Sequence, residues 1–303
     1  MTPMPRELLD TFLQQRLTNT ASDFWQNARA ELGSGVSRSR FSALIALASR
    51  HAKRHPVALS ETEQAQLQEA LPGLDMRAWN QLELLRVALV TARSDLESDA
   101  FAADFEAQFV YADEGETCAL YRALPFLPGP ERFVWRAGEG CRTNMLNVFS
   151  AIALDSPYPA AHFGDTAWNQ LVMKALFLEL PLWRIAELDS RLSAELTRMA
   201  LDFAEERESA GRVLNPGLWL CMSPANKERL QPLVARHWED AEPHQRCAMI
   251  MGLARAGEHT QVQHLAETES DIDVARAIDA ALGGNFDQHT FAHLVVEENE
   301  SQP

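Results

Sequence analysis

Three arginines lie close together in the stretch E-R-F-V-W-R-A-G-E-G-C-R-T-N-M-L-N-V-F, which occupies residues 131–149. A guanidinium group presents paired N–H donors that match a phosphate or a carboxylate. Lys174 adds a fourth positive charge further along the chain, and amide and phenol side chains add neutral donors. We therefore predict an anion-binding pocket with the ligand-binding residues Arg132, Arg136, Arg142, Asn144, Tyr158, Asn169 and Gln170.

The same region holds candidates for acid–base chemistry, which would matter if the protein is an enzyme. His162 follows the segment S-P-Y-P, and histidine is the side chain that titrates near neutral pH. Glu139 and Lys174 complete the set of predicted catalytic groups. The alternative interpretation is a structural polar network in which these side chains satisfy one another without a ligand. Both interpretations stay open on the sequence.

The 131–149 stretch has the periodicity of one long amphipathic helix. At 100° per residue an apolar stripe and a polar stripe fall on opposite sides, and Arg136 would pair with Glu139 across i,i+3 on the polar side. Gly138 and Gly140 each cost about 1 kcal/mol relative to alanine inside a helix. A helix tolerates such residues where another backbone or a ligand comes close, which favours a site on this helix.

The pentapeptide A-W-N-Q-L occurs at residues 78–82 and again at 167–171, each time at the start of an apolar run. The helix predicted over 166–179 is apolar almost all round, which is typical of a buried helix. A buried Lys174 would need an anionic ligand or a carboxylate, for which Glu139 is a candidate. Leu85 occupies the equivalent position in the first copy. We therefore interpret the shared pentapeptide as packing, and Lys174 as the difference that marks the site.

Helical periodicity extends over nearly the whole chain, and no segment alternates as a β-strand does. Ser60 and Glu63 have the spacing of a capping box, and Asp75 and Asp165 are N-cap candidates just before the two pentapeptides. Pro130 is suited to the first position of the helix that follows it. The other predicted helices cover 6–18, 20–32, 37–54, 98–111, 190–209, 225–238, 244–257 and 260–282.

These patterns predict an all-α fold, an antiparallel helical array that becomes partly a HEAT-like α-solenoid toward the C-terminus. The solenoid prediction comes from short helices after residue 225, where alanine and leucine fill the seams between paired helices. We predict one domain at residues 1–224, a helical domain that holds the polar stretch. The second, residues 225–303, is a short helical-repeat extension with a frayed acidic tail, E-E-N-E-S-Q-P.

Charge and hydropathy exclude several classes of protein. The formal net charge of −16 argues against nucleic-acid binding and against electrostatic docking on an anionic membrane. No apolar run approaches the roughly 20 residues of a membrane-spanning helix, and the N-terminal sequence lacks the apolar core of a signal peptide. We therefore expect a cytoplasmic protein that neither binds nucleic acid nor inserts into a membrane.

The sequence contains no cofactor motif. It lacks a Walker A loop, a G-x-G-x-x-G loop, G-x-S-x-G and H-E-x-x-H, and its four cysteines show no C-x-x-C spacing. His289 and His293 are spaced i,i+4 with Glu297 one turn later, but most such pairs are surface histidines. We predict no cofactor and no metal ligand.

The central third of the chain resembles the EboA family. The likeness is carried by L-Y-R-A-L-P-F-L-P-G-P-E-R-F-V-W-R-A-G-E-G-C-R-T-N at 120–144, L-D-S-P-Y-P at 154–159 and W-N-Q-L-V-M-K-A-L-F at 168–177, with a looser match over 43–60. The resemblance implies a biosynthetic gene cluster whose companions resemble a prenyltransferase, a sugar-phosphate cyclase, a metal-dependent hydrolase and a sugar isomerase. In cyanobacteria this cluster is linked to moving a pigment precursor to the periplasm. The resemblance assigns no catalytic residue.

Three hypotheses about function follow. The leading one is a cytoplasmic pathway protein that binds an anionic or phosphorylated small molecule and assists synthesis or delivery of the cluster product. The second is an enzyme that acts on that metabolite through His162, Glu139 or Lys174. The third is a non-catalytic adaptor whose helical surface holds other proteins of the same gene cluster together.

Overall fold

The fold is all-α, as predicted. A computed structural model describes residues 5–297, except the side chain of Glu297. Within this range the chain forms helices and no strands, apart from one isolated antiparallel bridge between Pro56 and Asn80. The helices of the first part are α1 (Pro5–Arg16), α2 (Asn19–Ser34), α3 (Arg38–His51), α4 (Glu61–Ala70), α5 (Gln81–Thr91), α6 (Asp99–Gln108), α7 (Glu114–Ala123), α8 (Val134–Gly140), α9 (Leu146–Ala153), α10 (Tyr158–His162) and α11 (Asp165–Phe177).

The later helices are α12 (Ala194–Ser209), α13 (Lys227–His237), α14 (Pro243–Arg255), α15 (His259–Ala266), α16 (Ile272–Leu282) and α17 (Gln288–Ala292). The single helix predicted over 260–282 is wrong, because residues 267–271 separate α15 from α16. Asp271 caps α16 by accepting hydrogen bonds from the backbone of Asp273 and Val274. A 3₁₀ helix, Pro216–Cys221, lies between α12 and α13.

The described chain divides into two compact units, and the division in sequence falls between Ala167 and Trp168, inside α11. The boundary that we drew at residue 224 remains a proposal about the extent of the helical domain. In the second unit α14, α15 and α16 pack against one another, and α14 also packs on the 3₁₀ helix Pro216–Cys221. The HEAT-like arrangement stays a prediction, and residues 298–303, most of the predicted frayed tail, lie outside the described part of the chain.

Helix α5 is the core of the first unit. Every residue from Leu82 to Thr91 is buried, including Glu83 and Arg86. Helices α1, α2, α3 and α7 pack against it, and α7 in turn packs against α9. Since α5 is covered on all sides, its sequence shows no polar face. Helix α8, which lies in the polar stretch of residues 131–149, also packs against α9.

The predicted capping box at α4 is confirmed. Ser60 Oγ accepts from Glu63 N at 3.3 Å, and Glu63 Oε2 accepts from Ser60 N at 2.8 Å. The same carboxylate pairs with Arg16 of α1, whose Nη2 lies 2.7 Å from Oε2. Glu63 is buried and the Arg16 side chain is 11% exposed. One glutamate therefore starts α4 and ties it to α1.

The two A-W-N-Q-L copies have different backbones. The N-cap of α5 is Asn80, in a capping box with Glu83, so the prediction of Asp75 as the cap is wrong. The first copy thus precedes and caps its helix, whereas the second lies inside α11, which has Asp165 as its first residue. Trp79 and Trp168 are both buried. The two copies therefore share a buried tryptophan and a helical end, but only the second is helical over its first three residues.

No helix among residues 5–297 is both long enough and apolar enough to cross a membrane.

Candidate functional site

The 131–149 stretch forms two helices, so the prediction of one long helix is wrong. A 3₁₀ turn that starts at Pro130 leads directly into α8, and residues 141–145 form a turn between α8 and α9. In that turn Arg142 N donates to Glu139 O at 3.0 Å and Thr143 N donates to Gly140 O at 3.2 Å. These short-range bonds tighten the last turn and end α8. The predicted apolar and polar stripes therefore do not lie on one helix.

Gly140 is required by close packing, whereas Gly138 is not. A Cβ at Gly140 would collide with the ring of Tyr121 on α7 and would lie 2.6 Å from Cδ1 of Ile152 on α9. A Cβ at Gly138 would meet nothing within 4 Å among the described residues. We predicted that another backbone or a ligand comes close to these glycines. A close neighbour is found at Gly140, and it consists of the side chains of Tyr121 and Ile152.

Arg132 organises two loops through backbone carbonyls. Its guanidinium donates five hydrogen bonds, with lengths between 2.7 and 3.3 Å, to the carbonyl oxygens of Leu96, Glu97, Ser98, Pro128 and Gly129. A guanidinium has five N–H donors and no acceptor. All the donors are therefore directed at the backbone, and this arrangement fits a structural role better than the predicted contact with an anion.

Arg136 joins α8 to α6. Its Nε donates to Oε2 of Glu106 at 2.6 Å, and its Nη2 lies 2.5 Å from the same oxygen. The guanidinium carbon also lies over the rings of Phe109, at 5.0 Å, and Trp135, at 4.9 Å. The predicted Arg136–Glu139 pair is therefore wrong. The carboxylate that neutralises Arg136 comes from a helix 30 residues earlier in the chain.

Glu139 pairs instead with Arg142, three residues later, on the turn after α8. The Arg142 side chain is 79% exposed, so the pair lies in water and contributes about 0–1 kcal/mol to stability. Asn144 is also exposed. Of the three predicted anion-binding arginines, Arg142 is therefore the one whose present contacts a ligand could replace at the lowest cost in free energy.

Apolar side chains on this segment reach solvent. Trp135 is 66% exposed, and Met145 and Leu146 are also exposed. Phe149, at the end of the same stretch, is fully buried. We call Trp135, Arg142, Asn144, Met145 and Leu146 the motif surface. It combines a cation and an amide with apolar side chains that are largely open to solvent.

Tyr158 and His162 lie on α10, next to the start of the 3₁₀ turn. Tyr158 is buried, and its hydroxyl donates to the carbonyl oxygen of Pro130 at 2.5 Å. Burial raises the tyrosine pKa, and the carboxylates of Glu131 and Glu106 raise it further. The phenol therefore stays protonated and acts as a donor to the backbone.

His162 is half-buried, and its ring lies 4.8 Å from the ring of Tyr158. Burial lowers the pKa of this histidine, while the carboxylate of Glu131 acts in the opposite direction. The imidazole is therefore neutral at neutral pH and has one nitrogen that can accept a proton. This is the one predicted catalytic residue whose surroundings, among the described residues, have the chemistry of a base.

The remaining predicted site residues lie on α11 in the second unit. Asn169 is buried, Gln170 is exposed and Lys174 is half-buried. Phe177 at the end of the helix is 64% exposed, so the prediction that α11 is buried all round is wrong. The apolar periodicity failed here because an aromatic residue on the surface has the same hydropathy as one in the core.

The structure thus brings together Tyr158 and His162, while Arg136 pairs with Glu106. Arg132 is directed at backbone carbonyls. Glu139 lies in the last turn of α8, and Arg142 and Asn144 lie on the exposed turn that follows. Glu106 was missed by the sequence reasoning, since an acidic residue on a helix is normally solvated. Tyr121, which packs against Gly140, belongs to the quoted segment 120–144, but nothing in its sequence context marked it as a contact of that glycine.

Metal-type side chains are dispersed in the described part of the chain. No group of three or more histidine, cysteine, aspartate or glutamate residues among residues 5–297 could hold a metal ion. His289 and His293 are both exposed, and His293 begins a π-helical turn, His293–Glu297. The side chain of Glu297, their possible third ligand, lies outside the described residues.

One family model matches the chain. It is described as metabolite traffic protein EboA, and it matches residues 5–223. No curated protein and no solved structure matches the chain. The matched range includes α8, the motif surface, Tyr158, His162 and all of α11. Because the family model covers well over half of the sequence, the chain belongs to the EboA family of metabolite traffic proteins.

Proposed function

We propose that this protein binds a small anionic or phosphorylated metabolite in the cytoplasm and assists its synthesis or delivery within a biosynthetic pathway. The observation that carries this proposal is the motif surface. It places Arg142, whose exposed guanidinium pairs with Glu139, on the same short segment as the exposed side chains of Met145 and Leu146. A guanidinium that can exchange partners suits an anion, and exposed apolar groups suit the carbon skeleton of the same molecule.

The test uses small molecules that co-purify with the protein. Full-length protein is purified from its native host and analysed by untargeted mass spectrometry, beside the variants Arg142→Gln and Trp135→Ala. The matched control is Arg198→Gln, because Arg198 also forms an exposed i,i+3 pair with a glutamate, Glu195, but lies outside the motif. We expect an anionic metabolite that is lost from both motif variants and retained by the control. Equal recovery from all four proteins would contradict the proposal.

A second candidate function is catalysis on that metabolite, and it is favoured by the neutral imidazole of His162 beside Tyr158. In this proposal His162 accepts a proton from the substrate and Glu131 stabilises the resulting imidazolium. A His162→Gln variant that folds and binds the metabolite but stops its conversion in cells would support catalysis. Unchanged pathway output would exclude an essential base at this position.

A third candidate function is an adaptor for other proteins of the same gene cluster. It is favoured by exposed large apolar side chains in the first unit, which include Val110 and Tyr111 beside the α6 end as well as Trp135. Exposed apolar groups concentrated on one segment are typical of protein contacts. Co-elution of the companion enzymes with wild type, and its loss with Tyr111→Ser, would support this role. Independent elution of wild type and companions would count against it.

A further inference from the structure

The second unit contains a cleft of about 420 Å³. It is formed by the end of α12, the loop that follows it, the 3₁₀ helix Pro216–Cys221, and helices α13 and α14. Pockets that bind small molecules usually have volumes of about 300–1,000 Å³. The family match ends at residue 223, so the side of the cleft that α13 and α14 supply lies beyond it.

The floor of the cleft is apolar and tightly packed. Leu214, Trp219 and Met249 line it, and all three are buried. The indole of Trp219 lies against the backbone of Gly252, where an added Cβ would be 2.8 Å from Cε3 of the ring. The tryptophan is therefore held in place and supports the cleft from behind. The apolar side chain that a ligand can reach is Val213, which also lines the cleft and is 67% exposed.

One wall of the cleft carries charges that neutralise one another. Glu208 accepts hydrogen bonds from Nε and Nη2 of Arg236, both at 2.9 Å, and its Oε1 lies 2.7 Å from Nε2 of His237. The guanidinium of Arg236 lowers the pKa of this carboxyl group, with a smaller contribution from His237. These three side chains therefore form a fixed ionic wall, and none of them needs a ligand.

Two further charges in the cleft are left without such a partner. The side chains of Arg212 and Asp240 line the cleft and are exposed. Between residues 5 and 297 neither side chain takes part in a hydrogen bond or an ion pair. Arg212 directly follows Gly211, whose φ of +65° turns the chain at this point. The cleft thus holds one available cation above an apolar floor, within a chain that is strongly acidic.

We propose that this cleft binds a small organic anion, with its carboxylate, phosphate or sulfonate group on Arg212 and its apolar part against the exposed side chain of Val213. The guanidinium provides paired donors for the anionic group, and Val213 provides an exposed apolar contact. Asp240 repels the same anionic group and limits which anions are accepted. This site is separate from the motif surface and does not depend on the function proposed for that surface.

The experiment titrates the purified full-length chain with 8-anilinonaphthalene-1-sulfonate, an aromatic anion, and with N-phenyl-1-naphthylamine, its uncharged analogue. Isothermal titration calorimetry and probe fluorescence give the Kd values. We expect Arg212→Gln to weaken binding of the anion roughly tenfold and Asp240→Asn to tighten it about threefold. Both variants should bind the neutral probe as wild type does. The matched control is Arg276→Gln, an exposed arginine of the same unit that does not line the cleft.

Opposite effects of the two variants on the anion alone would support the site, because the two substitutions change the charge of the cleft in opposite directions. Three results would overturn the proposal: wild type that binds neither probe, Arg212→Gln that binds the anion with unchanged Kd, or Asp240→Asn that weakens it. Equal weakening of both probes by Arg212→Gln would overturn it as well, since that result reports lost packing. Loss of the co-purifying metabolite in the motif variants is a different measurement, so the two proposals can fail separately.

Discussion

The guanidinium of Arg136 and the carboxylate of Glu106 form a hydrogen-bonded ion pair between α8 and α6, with Nε and Oε2 2.6 Å apart. The pair is partly exposed, with side-chain exposures of 22% for Arg136 and 30% for Glu106. Phe109 and Trp135 cover the guanidinium with their rings. This contact fixes α8, which belongs to the family motif, onto α6.

A double-mutant cycle should identify the carboxylate partner of Arg136. The variants Arg136→Ala, Glu106→Ala and their combination should give a coupling energy of about 1 kcal/mol in urea unfolding, because the pair is hydrogen-bonded and partly shielded. The parallel cycle of Arg136→Ala with Glu139→Ala should give a coupling energy near zero, because Glu139 pairs with Arg142. Coupling to Glu139 as strong as to Glu106 would contradict the structure.

The two glycines of α8 should respond to substitution in opposite directions. Gly140→Ala should destabilise the protein by about 1–3 kcal/mol, because its Cβ would collide with Tyr121 and press on Ile152. Gly138→Ala should stabilise it by up to about 1 kcal/mol, because alanine restricts the unfolded chain and meets no obstacle here. Thermal and urea unfolding measure both effects. If Gly140→Ala were as stable as Gly138→Ala, the close packing of α8 on α7 would be wrong.

Replacing Arg132 by lysine should be costly although the charge is kept. A lysine ammonium has three donors and cannot reach five carbonyls in two loops, so we expect a loss of about 2–3 kcal/mol. Arg142→Lys is the control, because its side chain is 79% exposed and the change should fall within about 0.5 kcal/mol. Urea unfolding compares the two variants, and similar losses would show that the carbonyl contacts of Arg132 contribute little.

The pair of Glu63 with Arg16 should make stability depend on acid pH. The guanidinium lowers the pKa of the Glu63 carboxyl from 4.5 to about 2. A lowered folded-state pKa means that the stabilisation is complete above about pH 5 and is lost as the pH falls from 4.5 toward 2. Glu63→Gln should therefore cost roughly 2 kcal/mol at pH 7 and much less at pH 3.

The control for this pH dependence is Glu61→Gln, an exposed residue in the same first turn of α4. Its free energy of unfolding should follow that of wild type closely at both pH values. Urea titrations at pH 7, 4.5 and 3 make the comparison. A Glu63→Gln protein that keeps the wild-type difference between pH 7 and pH 3 would show that another carboxylate controls acid stability.

Local patterns in the sequence were sufficient for the helical class and for some helix ends. The spacing of Ser60 and Glu63 specified a capping box because both partners lie within one turn. The partner of Arg136 could not be found this way, because Glu106 is brought to it by the packing of α6 rather than by helical spacing. Helical periodicity offers Glu139, three residues later, as the partner of Arg136, and it offers no other carboxylate.

The cleft of the second unit illustrates the same limit. Arg212, Trp219 and Asp240 come from three separate elements, and none of them has a motif around it. The division of 131–149 was missed for a related reason. A glycine inside a helix costs too little to end it, and α8 ends where the hydrogen bonds become short-range, from Arg142 N to Glu139 O and from Thr143 N to Gly140 O.

Arg132 has a consequence for how the protein should respond to its ionic surroundings. Loops rich in inward-pointing carbonyls are stabilised in many proteins by a bound potassium or calcium ion, whose occupancy varies with salt and with chelators. Here the positive charge that gathers the carbonyls of residues 96–98 and 128–129 is covalently part of the chain. The two loops therefore carry their own cation, one Arg132 side chain in each molecule, and dialysis or chelators cannot remove it.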